Sequence, residues 1–144
     1  MSELNLESNI GGPFGAVVVK DGRIIARGSN QVTKLNDPTA HAEIVAIRDA
    51  CRALKDFQLT GCDIYCSCEP CPMCFGAIYW ARPSRVFFAA TRHDAANAGF
   101  DDDFIYKEMD ISFENRKIKT IKLMQKEAIL VLEKWVRLDK KTPY

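Results

Sequence analysis

Phe14-Gly15-Ala16-Val17-Val18-Val19-Lys20-Asp21-Gly22-Arg23-Ile24-Ile25-Ala26-Arg27-Gly28 is the pattern of a β-hairpin. A β-branched run centred on Val17-Val18-Val19 meets a two-residue turn, Asp21-Gly22, whose residues tolerate positive φ, and a second apolar run returns antiparallel. Asn30 to Pro38 follows as a polar loop. Pro38 holds the preceding residues extended, and Thr39 is placed to cap a helix from about Ala40 to Leu54, with Ile44, Ile47, Cys51 and Leu54 at helical spacing. Cys62 to Cys66 reads as a short buried strand. Cys71 to Ala81 reads as a helix that tolerates Pro72 in its first turn, and Val86 to Ala90 as a further apolar strand segment. Short helical pieces are expected at Asp94 to Ala98 and Asp103 to Met109. A late strand is expected around Ile118 to Leu123, and an amphipathic helix over Glu127 to Leu138 with Leu132, Trp135 and Val136 on one face. An opening hairpin followed by alternating strands and helices predicts an α/β fold, three layers α-β-α with a mixed central sheet.

At 144 residues, 47% of them hydrophobic, the chain fits a single domain over residues 1–144 with a real core. It has no apolar run long enough to span a bilayer, and its N-terminus lacks the basic start and apolar stretch of a signal peptide. A cytoplasmic protein is expected, in which six cysteines are thiols and ligands rather than disulfides. Residues 1–106 carry 10 basic and 13 acidic side chains, a balance of −3, and residues 107–144 carry 10 and 6, a balance of +4. The net charge of +1 is no field for a polyanion, which favours a small-molecule substrate over nucleic acid. The Lys-rich C-terminal third reads as a solvated helix face.

The chemistry concentrates in His41-Ala42-Glu43 and Pro70-Cys71-Pro72-Met73-Cys74. Cys71 and Cys74 are three apart at a predicted helix start, so both sulfurs share one face, and the helix N-terminus favours thiolates. With the imidazole of His41 at another helix start, they form a three-ligand zinc set with an open fourth position. Such a position holds a water brought close to ionising at neutral pH. Two thiolates offset the charge of the ion, so a general base is needed, and Glu43 is the candidate. On an ideal helix it lies ~200° around the axis from His41, beside the open position rather than on the ligand face. Two other readings stand beside this one: a closed structural zinc site with Cys66 or Cys68 as fourth ligand, and an iron–sulfur motif begun by Cys68-x-x-Cys71-x-x-Cys74. The second lacks the expected fourth Cys followed by Pro. Cys51, Cys62 and Cys66 read as buried small apolar residues, and His93 as a surface loop residue.

His-x-Glu followed by Pro-Cys-x-x-Cys is the signature of the zinc nucleobase deaminases. Gly11-Gly12-Pro13-Phe14-Gly15-Ala16, Asn36-Asp37-Pro38-Thr39-Ala40-His41-Ala42-Glu43 and Ser67-Cys68-Glu69-Pro70-Cys71-Pro72-Met73-Cys74 extend the resemblance to the cytidine deaminase superfamily. Within it, Ala77-Ile78-Tyr79-Trp80-Ala81-Arg82-Pro83, Ala98-Gly99-Phe100-Asp101-Asp102 and a terminal tyrosine, Tyr144, resemble the bacterial guanine deaminases. The resemblance covers residues 11 to 109 well and the remainder loosely.

It implies one zinc per chain held by His41, Cys71 and Cys74, with Glu43 as proton shuttle in the hydrolysis of guanine to xanthine and ammonia. It implies substrate contacts from the Asn30 amide, the Asp102 carboxylate and the Phe14 ring, with Trp80 and Tyr144 lining the pocket. The plain alternatives are a turn residue for Asn30, a helix cap for Asp102 and a core residue for Phe14. It implies a homodimer whose C-terminal helix and tail cross to complete the partner's site. Only about ten residues precede the Gly-Gly-Pro-Phe-Gly motif, so the first helix is expected to be truncated or the native start to lie upstream. Alternative substrates are guanosine, cytosine or adenosine in tRNA, and the reading of another class is a structural zinc module.

Overall fold

The computed structural model describes Asn5 and residues 11–143; most of the segment in which a truncated first helix is expected, and Tyr144, lie outside the described residues. Two compact units divide the chain, Met1–Asp103 and Phe104–Tyr144.

In the first unit β1 (Gly15–Lys20) and β2 (Arg23–Ser29) form the hairpin. Asp21 and Gly22 turn it at φ of 48° and 72°, the type I′ geometry that matches strand twist. After α1 (Val32–Leu35) come α2 (Ala42–Leu54), β3 (Cys62–Cys68), α3 (Pro72–Ala81), β4 (Arg85–Ala90) and α4 (Arg92–Asn97). The sheet runs β2-β1-β3-β4, with β1 antiparallel to both its neighbours and β3 parallel to β4. It is mixed, as the alternation of elements predicts, because β3 reaches β4 through a helical crossover.

Several boundaries move for local reasons. The polar loop contains one helical turn, α1, ended by Asn36 in the left-handed region at φ 50°. Thr39 does not cap α2: its N–H and hydroxyl both bond the Asp37 carboxylate, at 2.8 and 2.7 Å, and His41 takes the cap position instead. α4 starts two residues before the expected piece, because Thr91 and Asp94 form a reciprocal capping box.

Val18, Ile64, Cys62 and Leu59 are fully buried and meet α2 and α3, which contribute Ala46, Ala50, Ile78 and Ala81. The closest-packed row of α2 is one of small residues, Ala42, Ala46 and Ala50; Ile47, Cys51 and Leu54 of the expected stripe sit half-buried at the margin. Small side chains let the helix lie directly on β2. At Gly28 a Cβ would fall on the Ala42 carbonyl oxygen and 2.6 Å from the Ala46 nitrogen, and backbone atoms cannot yield as a flexible side chain would. Gly28→Ala is therefore expected to cost about 3 kcal/mol through overpacking. It should also lower metal content by displacing the helix start that carries His41 and Glu43. Thermal unfolding together with metal analysis checks this, and a variant with wild-type melting and stoichiometry would refute it.

The second unit holds α5 (Asp103–Asp110), which starts at the boundary, a 3-10 turn at Phe113–Asn115, and α6 (Gln125–Val136). The late strand expected around Ile118 to Leu123 is not formed. Alternation makes a strand only where another strand supplies the ladder, and no pairing to this stretch is found among the described residues. Ile118, Ile121 and Leu123 stand 83%, 79% and 80% exposed. The apolar face of α6 is likewise exposed at Leu132, Trp135 and Val136.

Candidate active site

Two helix starts supply the reactive groups. His41 is the residue before α2, with extended backbone angles, and Cys71 is its counterpart before α3, where Pro72 begins the helix without wasting an N–H. Cys74 lies one turn further and is fully buried. Nδ1 of His41 stands 3.5 Å from Sγ of Cys71 and 3.5 Å from Sγ of Cys74. A tetrahedral zinc ion with bonds of about 2.05 Å to nitrogen and 2.3 Å to sulfur separates such ligands by roughly 3.5 Å, so the donor set fits the ion. The three ligand atoms lie within 4.8 Å of one another; neither Cys66 nor Cys68 belongs to the group among the described residues. Cys68 instead points its sulfur at the Thr91 carbonyl, 3.5 Å away. The closed structural site and the iron–sulfur reading both need one of those two sulfurs, and neither sulfur joins the group.

The protons already show the coupling that a cation would resolve. A bond from the Cys74 thiol, helped by His41, draws the Cys71 thiol down to about 4. The same bond to Cys71, then burial, holds Cys74 well above the ordinary thiol range. The Cys71 thiolate in turn raises His41. A divalent ion must displace protons from Cys74 and His41, so its affinity rises with pH.

Glu43, in the first turn of α2, is 8% exposed. Burial raises its carboxyl above the ordinary range, and the charge on Cys71 raises it further. Because His41 precedes the helix rather than lying on it, the angular argument from an ideal helix does not apply. Glu43 instead faces the same cavity as His41 and Cys71.

His41, Cys71 and Glu43 line a cavity of about 310 Å³, at the small end of the range for small-molecule sites. Phe14, Asn30, His41, Glu43, Cys71 and Asp102 all face it. Asn30 is buried at 6% exposure. Its Oδ1 accepts from the N–H groups of Val32 at 3.1 Å and Gly12 at 3.3 Å, so the turn role is real and occupies only the oxygen end. The helix-cap alternative for Asp102 falls to its neighbour: the carboxylate that accepts the Asp103 N–H, at 2.9 Å, belongs to Asp101. Asp102 is held above the usual carboxylate range, first by burial and then by the charge on Cys71. Phe14 serves both roles, since it packs against the core and meets Phe100 edge-on with centroids 4.9 Å apart.

Trp80 does not line this cavity. On α3 the inward positions are Cys74, Ile78 and Ala81, and Trp80 sits on another face, 64% exposed. Tyr144 lies outside the described residues. His93 is exposed in the first turn of α4 and outside the ligand group. Glu69 and Arg92 also line the cavity, with no role expected from sequence. The Glu69 carboxylate accepts the Arg92 N–H at 2.9 Å and joins the end of β3 to α4. The available signal was the place of Glu69 inside the Ser67–Cys74 motif.

Residues 3–90 match the model of the cytidine and deoxycytidylate deaminase zinc-binding region. The guanine deaminase of Bacillus subtilis (strain 168) is 56% identical over 139 residues, covering 96% of this chain and 89% of that protein. A crystal structure of the Bacillus subtilis guanine deaminase superposes with a TM-score of 0.96 at 55% identity, over 99% of this chain and 91% of that one. The tRNA-specific adenosine deaminase of Buchnera aphidicola subsp. Schizaphis graminum is 36% identical over 126 residues, 87% of this chain and 80% of that protein. With its His-x-Glu and Cys-x-x-Cys groups gathered at one cavity, the chain belongs to the cytidine and deoxycytidylate deaminase family of zinc-binding proteins.

Proposed function

We propose that the protein hydrolyses guanine to xanthine and ammonia, with one zinc per chain held by His41, Cys71 and Cys74. The observation that carries this reading is one juxtaposition: His41 and Cys71 of the three-ligand group, and a buried carboxylate, open on the same small cavity as Asn30 and Asp102. Guanine, among the bases, follows from the likeness to the Bacillus subtilis guanine deaminase. That likeness extends past residue 90, where the shared deaminase region ends, through the Asp101-Asp102 loop.

Zinc, when bound, supplies Lewis-acid activation of a water at neutral pH. Glu43 would take one proton from the attacking water as its oxygen adds to C2 and pass it to ring N3, then take the second from the new C2 hydroxyl and give it to the departing amine. Its buried setting suits a group that must hold a proton and release it. Asn30 Nδ2 donates to an acceptor on the purine and the Asp102 carboxylate accepts from a ring N–H, while Phe14 and Phe100 pack on the base. The balance is guanine plus water giving xanthine plus ammonia.

A homodimer completed by the C-terminal segment accords with the exposed apolar faces. Phe75, Tyr79 and Phe88 in the first unit and Leu130, Leu132 and Val136 in the second stand half to two-thirds exposed. No helix among the described residues is long and apolar enough to cross a membrane, and the six cysteines are unpaired, which suits the cytoplasm.

Adenosine in tRNA is the second reading, on the likeness to the Buchnera aphidicola enzyme. Ammonia release from guanine, guanosine, adenine, cytosine and a tRNA anticodon stem distinguishes them. Guanine is expected to be turned over at least 100-fold more efficiently than the other four; faster release from the tRNA stem would replace the proposal with its rival.

A further inference from the structure

The amide of Asn30 is useful to a base only if one end of it faces the cavity. Its Oδ1 is already engaged by two N–H donors, Val32 and Gly12, and turning the amide over would set its NH₂ group against them. That leaves Nδ2 as the free end, and it bonds no protein group among the described residues. The orientation depends on the position of Gly12, which is remote in sequence from residue 30.

One buried side chain bridges the two backbones directly. Asn5, 2% exposed, donates through Nδ2 to the carbonyl of Gly12 and to the carbonyl of Asn30, both at 2.9 Å. Its two amide hydrogens are thereby spent, one on each strand of backbone, and residues 12 and 30 are tied at a set distance. This tie adds to a backbone path, in which the Phe14 N–H bonds the Gly12 carbonyl at 2.8 Å and the Asn30 N–H bonds the Phe14 carbonyl at 3.1 Å. At Gly11 a Cβ would lie 2.5 Å from the Asn30 carbonyl oxygen, so the loop presses bare backbone against Asn30 there.

We propose that Asn5 is a positioning residue for purine recognition. It locks Gly12 onto the Asn30 amide so that Nδ2 faces the cavity as a dedicated donor to an acceptor on the base. Asn5 does not line the cavity, so it acts through Asn30. The inference rests on the reading of Asn30 as a base contact.

The test is a double-mutant cycle on Asn5→Ala and Asn30→Ala, run with the base that the ammonia-release screen identifies and with calorimetric binding of its deaminated product. Asn5→Ala alone is expected to weaken product binding and raise KM about 10-fold, with kcat within about threefold and zinc stoichiometry unchanged. In the Asn30→Ala background the same substitution should change binding less than twofold. Asn5→Asp, of equal size but without N–H donors, should match Asn5→Ala. Equal losses with and without Asn30, or undiminished binding in Asn5→Ala, would overturn the proposal. So would failure of both Asn5 variants to give folded, zinc-loaded protein, since Asn5 would then hold the fold rather than the amide. A wild-type protein that deaminates a different base sinks the guanine reading and leaves the cycle intact on that base.

Discussion

Glu43→Gln is expected to lower kcat on guanine about 10³-fold or more while leaving one zinc per chain and a folded protein. A positioned acid–base group contributes ~10²–10⁴ in rate, and here one group takes and gives two protons in a single turnover, so the upper part of that range applies. The loss corresponds to about 4 kcal/mol of transition-state stabilisation. Because the carboxylate does not belong to the ligand group, metal content should not change. Stability should not fall either. Glu43 is 8% exposed, and its burial disfavours the charged form, so a neutral amide of the same shape removes a desolvation cost at neutral pH. An active site that gives up stability for chemistry predicts this pairing of an inactive variant with an undiminished melting temperature. Steady-state kinetics, metal analysis and thermal melting on one preparation decide it; retained turnover would remove Glu43 from the mechanism.

The parts legible in the sequence are those where local chemistry and global packing agree. Asp21-Gly22 admits one hairpin turn, and Cys71 and Cys74 at a helix start leave one shared face, so both appear as read. The misreadings arise where a group had two local options. Thr39 looks like a cap, but its N–H and hydroxyl both donate to the Asp37 carboxylate two residues earlier, and the helix starts later. Asp102 looks like a cap for the same reason, and Asp101 takes that role. The late strand failed differently: alternation at Ile118 to Leu123 specifies a face but not a neighbour, and a ladder is a long-range fact. Asn5 shows the reverse case. An asparagine in a ten-residue lead-in has no local signature, and only the folded chain brings it to Gly12 and Asn30.

Removing a ligand should separate the role of the ion in chemistry from its role in the fold. Cys71→Ser is the informative variant. Cys71 is only half-buried and its side chain caps nothing, so the substitution disturbs packing little. A hydroxyl does not ionise at neutral pH and is a poor zinc ligand, so the variant should lose most bound metal and nearly all turnover. Wild-type protein depleted by a chelator should behave alike and recover with added zinc, which the variant should not. Held by His41, Cys71 and Cys74, the ion would tie the starts of α2 and α3, two helices that share one core, so its loss should also reach stability. At free zinc 1,000-fold above Kd the tie is worth ~4 kcal/mol by mass action, or a melting shift of about 10 °C for a chain of this size. It should not unfold the protein, because the buried sheet and the Ala42-Ala46-Ala50 row persist without metal, unlike a zinc finger whose core is the site itself. Lowering pH should mimic depletion, as protons on His41 and Cys74 compete with the ion. Full metal content in Cys71→Ser, or collapse of the depleted protein to an unfolded chain, would contradict a catalytic ion seated on a preformed scaffold.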